Sequence, residues 1–135
     1  MSEYRLDLIK YIWHILKSDD NSTKYFGYLA ASRFVSVFET PPKITLQVYV
    51  SLLRAHHSTE KHMVRAALHT LVPALPKRLT QDELGNAMKY TTKVMYEEGN
   101  SLPQLAHLWD VVTRNPEVYV RFVIFVVVLF VVVWF

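Results

Sequence analysis

Apolar residues recur with a period near 3.6 along most of the chain, which predicts helices rather than strands. No stretch before residue 118 alternates apolar and polar residues over the length of a strand. A first helix is expected over 4–17 and a second over 24–38, with Ser22 or Thr23 as the N-cap of the second. The polar residues of the first helix follow one narrow stripe: Asp7, Lys10, His14 and Lys17.

The middle of the chain predicts a second pair of helices. Pro42 suits a first helical turn, so the third helix is expected from there through 57, with Gln47, Ser51 and Arg54 on one thin polar stripe. The fourth is expected over 60–72, after a restart at Ser58 or Thr59. Two prolines then interrupt the pattern, Pro73 and Pro76.

Two capping boxes predict the last pair of helices. In "TQDE", 80–83, the hydroxyl and the carboxylate would each satisfy a backbone group at a helix start. The expected core stripe of that helix is Leu84, Ala87, Met88, Thr91, Val94 and Met95, and Gly99 suits the position after its last turn. "SLPQ", 101–104, opens a sixth helix, which Asn115-Pro116 closes. The expected core positions of the sixth helix are Leu105, Leu108, Trp109 and Val112.

The sequence thus predicts six helices of about 11–17 residues, joined by short turns into hairpin pairs. Equivalent helix starts, at Ile44 and Gln81, lie 37 residues apart. The pattern therefore predicts an all-α, HEAT- or armadillo-like helical-hairpin solenoid. The segment 44–57 is apolar around well over half its circumference. Leaving two leucine-sized groups in water would forfeit roughly 3–6 kcal/mol, so we expect further protein around this fragment.

Charge and cysteine content narrow the function. A net charge of +3 is evenly spread, and no basic run exceeds "PKR" at 76–78, so nucleic-acid binding is not predicted. The absence of cysteine excludes disulfides, thiolate catalysis and cysteine zinc sites. The amino terminus is charged within five residues, which is not typical of a secretory signal.

Side chains that resemble catalytic or metal-binding groups have simpler interpretations. The histidines lack the spacing of a helical zinc pair: His14, His56, His57, His62, His69 and His107. Ser58 to Lys61 formally matches S-x-x-K but reads as a helix start, and Glu97-Glu98 points to two sides of a helix. The aromatic residues Tyr25, Phe26, Tyr28, Phe34 and Phe38 are expected in the core. We therefore predict no catalytic, cofactor-binding or metal-binding residue, no cofactor and no enzyme activity.

Several blocks of the chain resemble one family in the same order and spacing. They are "FETPPKITLQVYVSLLRAH" (38–56), "VRAALHTLVPALPKRL" (64–79), "EEGNSLPQLAHLW" (97–109) and "RNPEVYVRF" (114–122). The chain from about 4 to 122 is similar to the transformation/transcription domain-associated proteins, the large pseudokinase scaffolds related to the phosphatidylinositol-3-kinase-like kinases.

The resemblance implies a HEAT-repeat segment of a nuclear scaffold in histone acetyltransferase coactivator complexes. Such a segment would bind complex subunits and transcription activators through helix faces and turns, without catalysis or a small-molecule substrate. A repeat segment from a related active kinase is an alternative that the blocks favour less. The exposed residues Arg54, Lys61, Arg65 and Lys89 are candidate contacts, although such side chains are more often a solvated face.

The apolar segment 122–135 departs from the resemblance and divides the chain into a body, 1–121, and a tail. As a helix, 118–135 would rise about 27 Å, close to the roughly 30 Å of a bilayer core, with Arg121 able to snorkel. A small tail-anchored membrane protein with a cytosolic helical body is therefore an alternative. Its valines and phenylalanines also favour a β-strand that aggregates when exposed. The account we favour is translation past a missed splice site, because the resemblance stops where the tail begins.

Overall fold

The structure is a computed structural model that describes residues 3–55, 59–98 and 102–134. These residues form helices and no strand, which confirms the all-α prediction. The helices are α1 (Glu3–Leu16), α2 (Asn21–Val37), α3 (Pro42–Leu53), α4 (Lys61–Leu71), α5 (Leu75–Arg78), α6 (Gln81–Glu98), α7 (Leu102–Arg114) and α8 (Pro116–Trp134). A single 3-10 turn, Val72–Ala74, joins α4 to α5.

The helices form hairpins that stack in two layers. α1 packs against α2, α3 against α4, and α6 against α7. Between hairpins, α3 packs against α6 in the first layer, while α2 packs against α4 and α4 against α7 in the second. First-layer helices begin at residues 3, 42 and 81, and α8 begins at 116, so the unit recurs every 35–39 residues. This arrangement confirms the HEAT-like helical-repeat prediction.

One hydrophobic core runs through both layers. Its largest fully buried side chains come from α2, α3, α4, the 3-10 turn, α5, α7 and α8, and include Tyr49, Leu52, Leu71, Leu108 and Tyr119. The predicted stripe of α6 is confirmed, because Ala87, Thr91 and Val94 are buried and its other members are half-buried. The apolar segment 44–57 was expected to need further protein around it. In the structure most apolar residues of α3 are buried or half-buried by other helices of this chain.

The helix α1 contributes much less to this core than the others do. Among its residues only Ile12 is buried. Gly27 of α2 permits close contact with α1, since an added Cβ would lie 2.8 Å from Cγ2 of Ile15 and 3.0 Å from Cδ2 of Leu16. The first helix is therefore held mainly by its close packing against α2, and most of its residues are exposed.

At two helix starts, nearby side chains bind the backbone N–H groups of the first turn. The capping box at 80–83 is confirmed: the Thr80 N–H donates to Oε2 of Glu83 at 2.7 Å, and the Glu83 N–H donates to Oγ1 of Thr80 at 3.3 Å. The predicted N-cap of α2 is wrong. Asp20 takes that position, and its Oδ2 accepts from Oγ1 of Thr23 at 2.6 Å and from the Thr23 N–H at 2.8 Å. These bonds to Thr23 lower the pKa of Asp20.

The third helix is shorter than predicted. It ends at Leu53, and the next two N–H groups close the helix by donating to earlier carbonyl groups, Arg54 to Val50 and Ala55 to Leu52. Residues 56–58 lie outside the described residues, as do the predicted cap at Gly99 and the start of the "SLPQ" box at Ser101. α4 begins at Lys61 without a side-chain cap.

The two prolines after α4 have a definite effect on the path of the chain. α4 ends at Leu71, as expected before Pro73, and the single turn of α5 follows. That turn places Arg78 against the end of α2, where Nε donates to the Val35 carbonyl at 2.7 Å and Nη2 to the Ser36 carbonyl at 3.3 Å. A cation at a helix carboxyl end stabilises the helix dipole, so Arg78 fastens the first hairpin to the second.

The tail is helical in its described residues, so the β-strand that its valines and phenylalanines favour is not formed. α8 runs without a break from Pro116 to Trp134. Its start is fixed by Asn115, whose carbonyl accepts from the N–H groups of Val118 and Tyr119. A helix satisfies each backbone group within its own segment, whereas a lone strand cannot. Across the part of the chain described, no helix has both the length and the apolarity needed to cross a membrane.

Two aromatic residues lie outside the core, contrary to prediction. Phe26 is 59% exposed, while Phe34 is buried and stacks on Phe38 at a centroid distance of 5.0 Å. Trp109 is 42% exposed, although its neighbour Leu108 is fully buried. One residue turns a helix by about 100°, so both side chains fall just beyond the buried arc of their helices.

Candidate protein-interaction surfaces

The four histidines that the structure describes do not converge. Nε2 of His107 lies 3.1 Å from the Leu52 carbonyl, which places that ring between α7 and α3. Three others lie at exposed helix positions: His14, His62 and His69. His56 and His57 lie outside the described residues. Within the described ranges, no group of three or more metal-ligating side chains comes together.

The S-x-x-K match at 58–61 and the pair Glu97-Glu98 are the two sequence features that resembled catalytic groups. Ser58 of the S-x-x-K match lies outside the described residues, and Lys61 is exposed at the start of α4. Glu97 forms ion pairs with Arg54 at 3.0 Å and with Lys93 at 3.9 Å. Both arginine and lysine neutralise this carboxylate on the surface, so it serves to join α3 and α6 there.

A chain of buried hydroxyl groups links three first-layer helices. The hydroxyl of Tyr49 on α3 lies 2.7 Å from that of Tyr119 on α8 and 2.7 Å from Oγ1 of Thr91 on α6. Thr91 donates to the Ala87 carbonyl at 2.9 Å. Because that bond uses the threonine proton, Tyr49 donates to Thr91 and accepts from Tyr119. The chain therefore has one direction, from α8 through α3 to α6.

Burial determines the acid–base behaviour of this chain. Loss of hydration raises the pKa of Tyr49 to about 12, and the bonds to Thr91 and Tyr119 oppose that rise. Burial and the neighbouring Tyr49 also raise the pKa of Tyr119 well above its ordinary value. Both phenols are therefore neutral hydrogen-bonding groups at ordinary pH. In the sequence, the sign of such a hydrogen-bonded chain is a tyrosine at a core position, because a buried tyrosine hydroxyl needs a hydrogen-bond partner.

Two of the four candidate basic contacts, Arg54 and Arg65, form ion pairs on the surface. Arg54 pairs with Glu97, and Nε of Arg65 lies 3.9 Å from Oδ2 of Asp110, which also binds Arg114 at 2.8 Å. Such exposed pairs contribute about 0–1 kcal/mol each. Lys61 and Lys89 are exposed. Together with Arg65 and His107, Lys61 lines a depression of about 150 Å³ at the start of α4.

Exposed apolar stripes lie on the first and last helices. On α1, Tyr4, Leu8 and Tyr11 recur at helical spacing and are 86%, 44% and 63% exposed. On α8, the exposed apolar positions include Val120, Ile124, Val127 and Val131. Contiguous exposed apolar surface of this kind marks a site of protein contact. These two stripes lie on the helices at the two ends of the described stack, whereas the sequence placed the excess apolar surface on 44–57.

Comparison with known protein families agrees with this helical-repeat architecture. A family model described as the Tra1 HEAT repeat ring region matches residues 1–123. The chain belongs to the Tra1 ring family. This confirms the resemblance seen in the sequence blocks, and it accounts for the stacked hairpins of 35–39 residues. No solved structure matches the chain.

Several curated relatives cover most of the chain. A probable transcription-associated protein 1 of Dictyostelium discoideum is 40% identical over 85% of it. The human transformation/transcription domain-associated protein is 36% identical over 83% of it. The Saccharomyces cerevisiae relative, a subunit of the SAGA complex and the NuA4 acetyltransferase complex, is 33% identical over 88%. The chain spans about 3% of the length of each of these relatives.

Proposed function

We propose that this Tra1 ring segment is a non-catalytic scaffold segment of a transcription coactivator complex with histone acetyltransferase activity. The observation that carries the proposal is the match of residues 1–123 to the Tra1 HEAT repeat ring region. The names of the relatives support it, since the yeast and fission yeast proteins are both subunits of SAGA and NuA4 acetyltransferase complexes. The partners would be protein subunits and activators, and the location nuclear.

The surface chemistry supports binding rather than catalysis. The buried polar groups Tyr49, Thr91 and Tyr119 are hydrogen-bonded to one another, so they stabilise the stack and are withheld from solvent. The exposed surface offers apolar stripes on α1 and α8 and paired charges between them. A helical repeat presents such surfaces to other proteins over a large area. Its mechanism would be contact through helix faces and the turns between hairpins.

The proposal is tested by purifying the tagged 135-residue chain from nuclei. We expect histone acetyltransferase activity and subunits of one coactivator complex to copurify with it. A variant that disrupts the stack by placing a charge in the core, Leu52→Asp, is the control and should lose both. Recovery of the chain in a cytosolic or membrane fraction, without acetyltransferase activity, would contradict the proposal.

We also propose that the chain divides into a body of HEAT-like helical repeats, 1–121, and an apolar tail, 122–135, which arises from translation past a missed splice site. The family match, which ends at residue 123, supports this division. Sequencing the transcript across codons 115–135 tests it. A spliced message that continues into mixed polar and apolar helix supports the division and the missed splice site. A message with its stop codon directly after Phe135 contradicts the splice-site account.

A further inference from the structure

The charges of the chain separate between the two layers of the stack, although they are evenly spread along the sequence. The second-layer helices α2, α4 and α7 carry five basic residues and one acid, Asp110, a net charge of +4. The first-layer helices carry six basic and seven acidic residues, a net charge of −1. The outer surface of the second layer is therefore at positive potential. We name it the second-layer face, and its exposed side chains include Phe26, Arg33, Lys61, Arg65, Trp109 and Arg114.

Most of this positive charge is not neutralised by neighbouring acids. Arg33 and Lys61 have no ion pair within the described part of the chain. Arg65 and Arg114 share one carboxylate, because Nε of Arg114 donates to Oδ1 of Asp110 at 2.8 Å and Nε of Arg65 lies 3.9 Å from Oδ2. Each arginine contacts Asp110 through Nε, so its terminal N–H groups remain for a further acceptor.

Contacts between the three helices fix the order of side chains across the second-layer face. Oγ of Ser22 donates to Oε1 of Glu60 at 3.2 Å, which joins the amino end of α2 to that of α4. One turn further on, Nε of Arg65 lies 3.9 Å from the carboxylate next to Trp109, which joins α4 to α7. Phe26 lies one helical turn after Ser22. Phe26, Arg65 and Trp109 therefore form one row across α2, α4 and α7.

An exposed aromatic ring stands at each end of this row. Phe26 is 59% exposed and Trp109 is 42% exposed. Neither ring stacks on another aromatic ring among the described residues. Aromatic rings beside basic side chains are the combination that binds single-stranded nucleic acid, because the rings stack on bases and the basic groups bind phosphates. A duplex keeps its bases stacked on one another and would leave both rings without a partner.

The dimensions of the second-layer face suit a short single strand. Packed helices lie about 8–10 Å apart, so the row from α2 to α7 is about 16–20 Å long. A stacked strand advances about 3.4 Å per nucleotide, so about five or six nucleotides span the row. Lys61 lies one helical turn to the amino side of Arg65, and Arg33 lies two turns to the carboxyl side of Phe26. Phosphates on both sides of the row would therefore meet a cation.

We propose that the second-layer face binds single-stranded nucleic acid without sequence preference. Bases stack on Phe26 and Trp109, and phosphates bind Arg65, Lys61 and Arg33. The observation that carries the proposal is the placement of two exposed rings and unneutralised basic groups on one layer. These residues are scattered along the chain, which is why the sequence did not predict nucleic-acid binding. The proposal goes beyond the scaffold function and does not depend on it.

The test is fluorescence anisotropy with the purified 135-residue chain and a labelled strand of 12 thymidine nucleotides. We expect binding that weakens as salt rises, with a slope of about 2–3 in the logarithm of affinity against the logarithm of salt, as three or four phosphate contacts require. An abasic strand with the same number of phosphates is the matched probe. It should bind at least about fivefold more weakly, because it offers phosphates but no base to stack.

Variants of the basic residues locate the phosphate contacts. Arg33→Glu with Lys61→Glu should weaken binding of the thymidine strand by about tenfold or more and reduce the salt slope. The control is Lys43→Glu with Lys89→Glu, which makes the same change in net charge at exposed positions of the first layer. It should weaken binding less than about twofold, since salt screens charges on the opposite face.

Variants of the aromatic residues locate the base contacts. Phe26→Ala and Trp109→Ala should each weaken binding of the thymidine strand by about fivefold or more, without changing the salt slope or the affinity for the abasic strand. The control is Tyr96→Ala, because Tyr96 is 91% exposed and lies on α6, outside the second-layer face. This variant should bind both strands as the unchanged chain does.

Four results would overturn the proposal. They are equal affinity for the thymidine and abasic strands, equal losses in the two charge-reversed pairs, tighter binding of a duplex than of the single strand, and capture of the chain by anionic phospholipid vesicles that Phe26→Ala and Trp109→Ala abolish while strand binding persists. The assay uses the purified chain alone, so its outcome is independent of copurification with acetyltransferase activity. Failure here would leave the scaffold proposal standing.

Discussion

The hydroxyl chain through Tyr49 makes a sharp prediction for the variant Tyr49→Phe. The substitution keeps the ring and its packing but removes two hydrogen bonds at once, the one donated to Thr91 and the one accepted from Tyr119. All three residues are 0% exposed, so water does not replace the lost bonds. Removing one partner of a buried polar group costs about 1–3 kcal/mol. We therefore expect the free energy of unfolding to fall by about 2 kcal/mol.

The neighbouring variant Tyr119→Phe should cost less. It removes the bond donated to Tyr49 and leaves the one that Tyr49 donates to Thr91, so the expected loss from this hydroxyl chain is about 1 kcal/mol. The double variant should cost less than the sum of the two, because both single changes remove the shared bond. Tyr96→Phe is the control: Tyr96 is 91% exposed, so a change below about 0.5 kcal/mol is expected.

Urea unfolding followed by circular dichroism measures these differences. With a slope of about 2 kcal/mol per molar urea, the Tyr49→Phe midpoint should fall by about 1 M at an unchanged slope. Equal losses for the two single variants, combined with an additive double variant, would refute the reasoning. Such a result would mean that the two phenol groups do not share a bond and that α8 is not joined to α3 in this way.

Three further predictions concern other sites. Gly85→Ala should raise the free energy of unfolding by about 1 kcal/mol, because its added Cβ meets open space. Gly27→Ala should be about 1–3 kcal/mol less stable than Gly85→Ala, because its added Cβ would lie 2.8 Å from Cγ2 of Ile15. Thermal unfolding of the two variants compares them. Ser32→Ala should stabilise by about 1 kcal/mol in urea unfolding, because the buried Oγ of Ser32 has no hydrogen-bond partner among the described residues; a loss would reveal a hidden partner. Above pH 10 the unfolded chain loses the Tyr49 proton while the folded chain keeps it to about pH 12, so stability should fall with rising pH, by about 1 kcal/mol per pH unit; tyrosinate absorbance that titrates fully before the helices unfold would contradict this.

Features fixed by neighbouring residues were predictable from the sequence. The capping box of Thr80 and Glu83 was found because its two partners lie three residues apart. The N-cap of α2 was missed because "DDNST" offers several capping residues in a row, of which Asp20 takes the position. The end of α3 was placed four residues too late, since no glycine or proline marks it.

Features made by distant residues were not predictable. Tyr49 meets Thr91 and Tyr119 across 42 and 70 residues of sequence, and no local pattern specifies that meeting. The helical tail shows the same limit, because valine and phenylalanine favour strands by propensity and the start of α8 is set by Asn115 and the contact with α3.

The claim that this chain is one part of a longer stack, with uncovered apolar ends, is tested most directly by its behaviour in isolation. Sedimentation velocity and hydrophobic-dye binding on the purified 135-residue chain measure it, with Leu8→Gln, Tyr11→Gln as the matched variant of the α1 stripe. We predict concentration-dependent self-association and strong dye binding, both reduced by that variant, since Leu8 and Tyr11 are 44% and 63% exposed. A monomer that binds no dye and melts sharply would contradict the account.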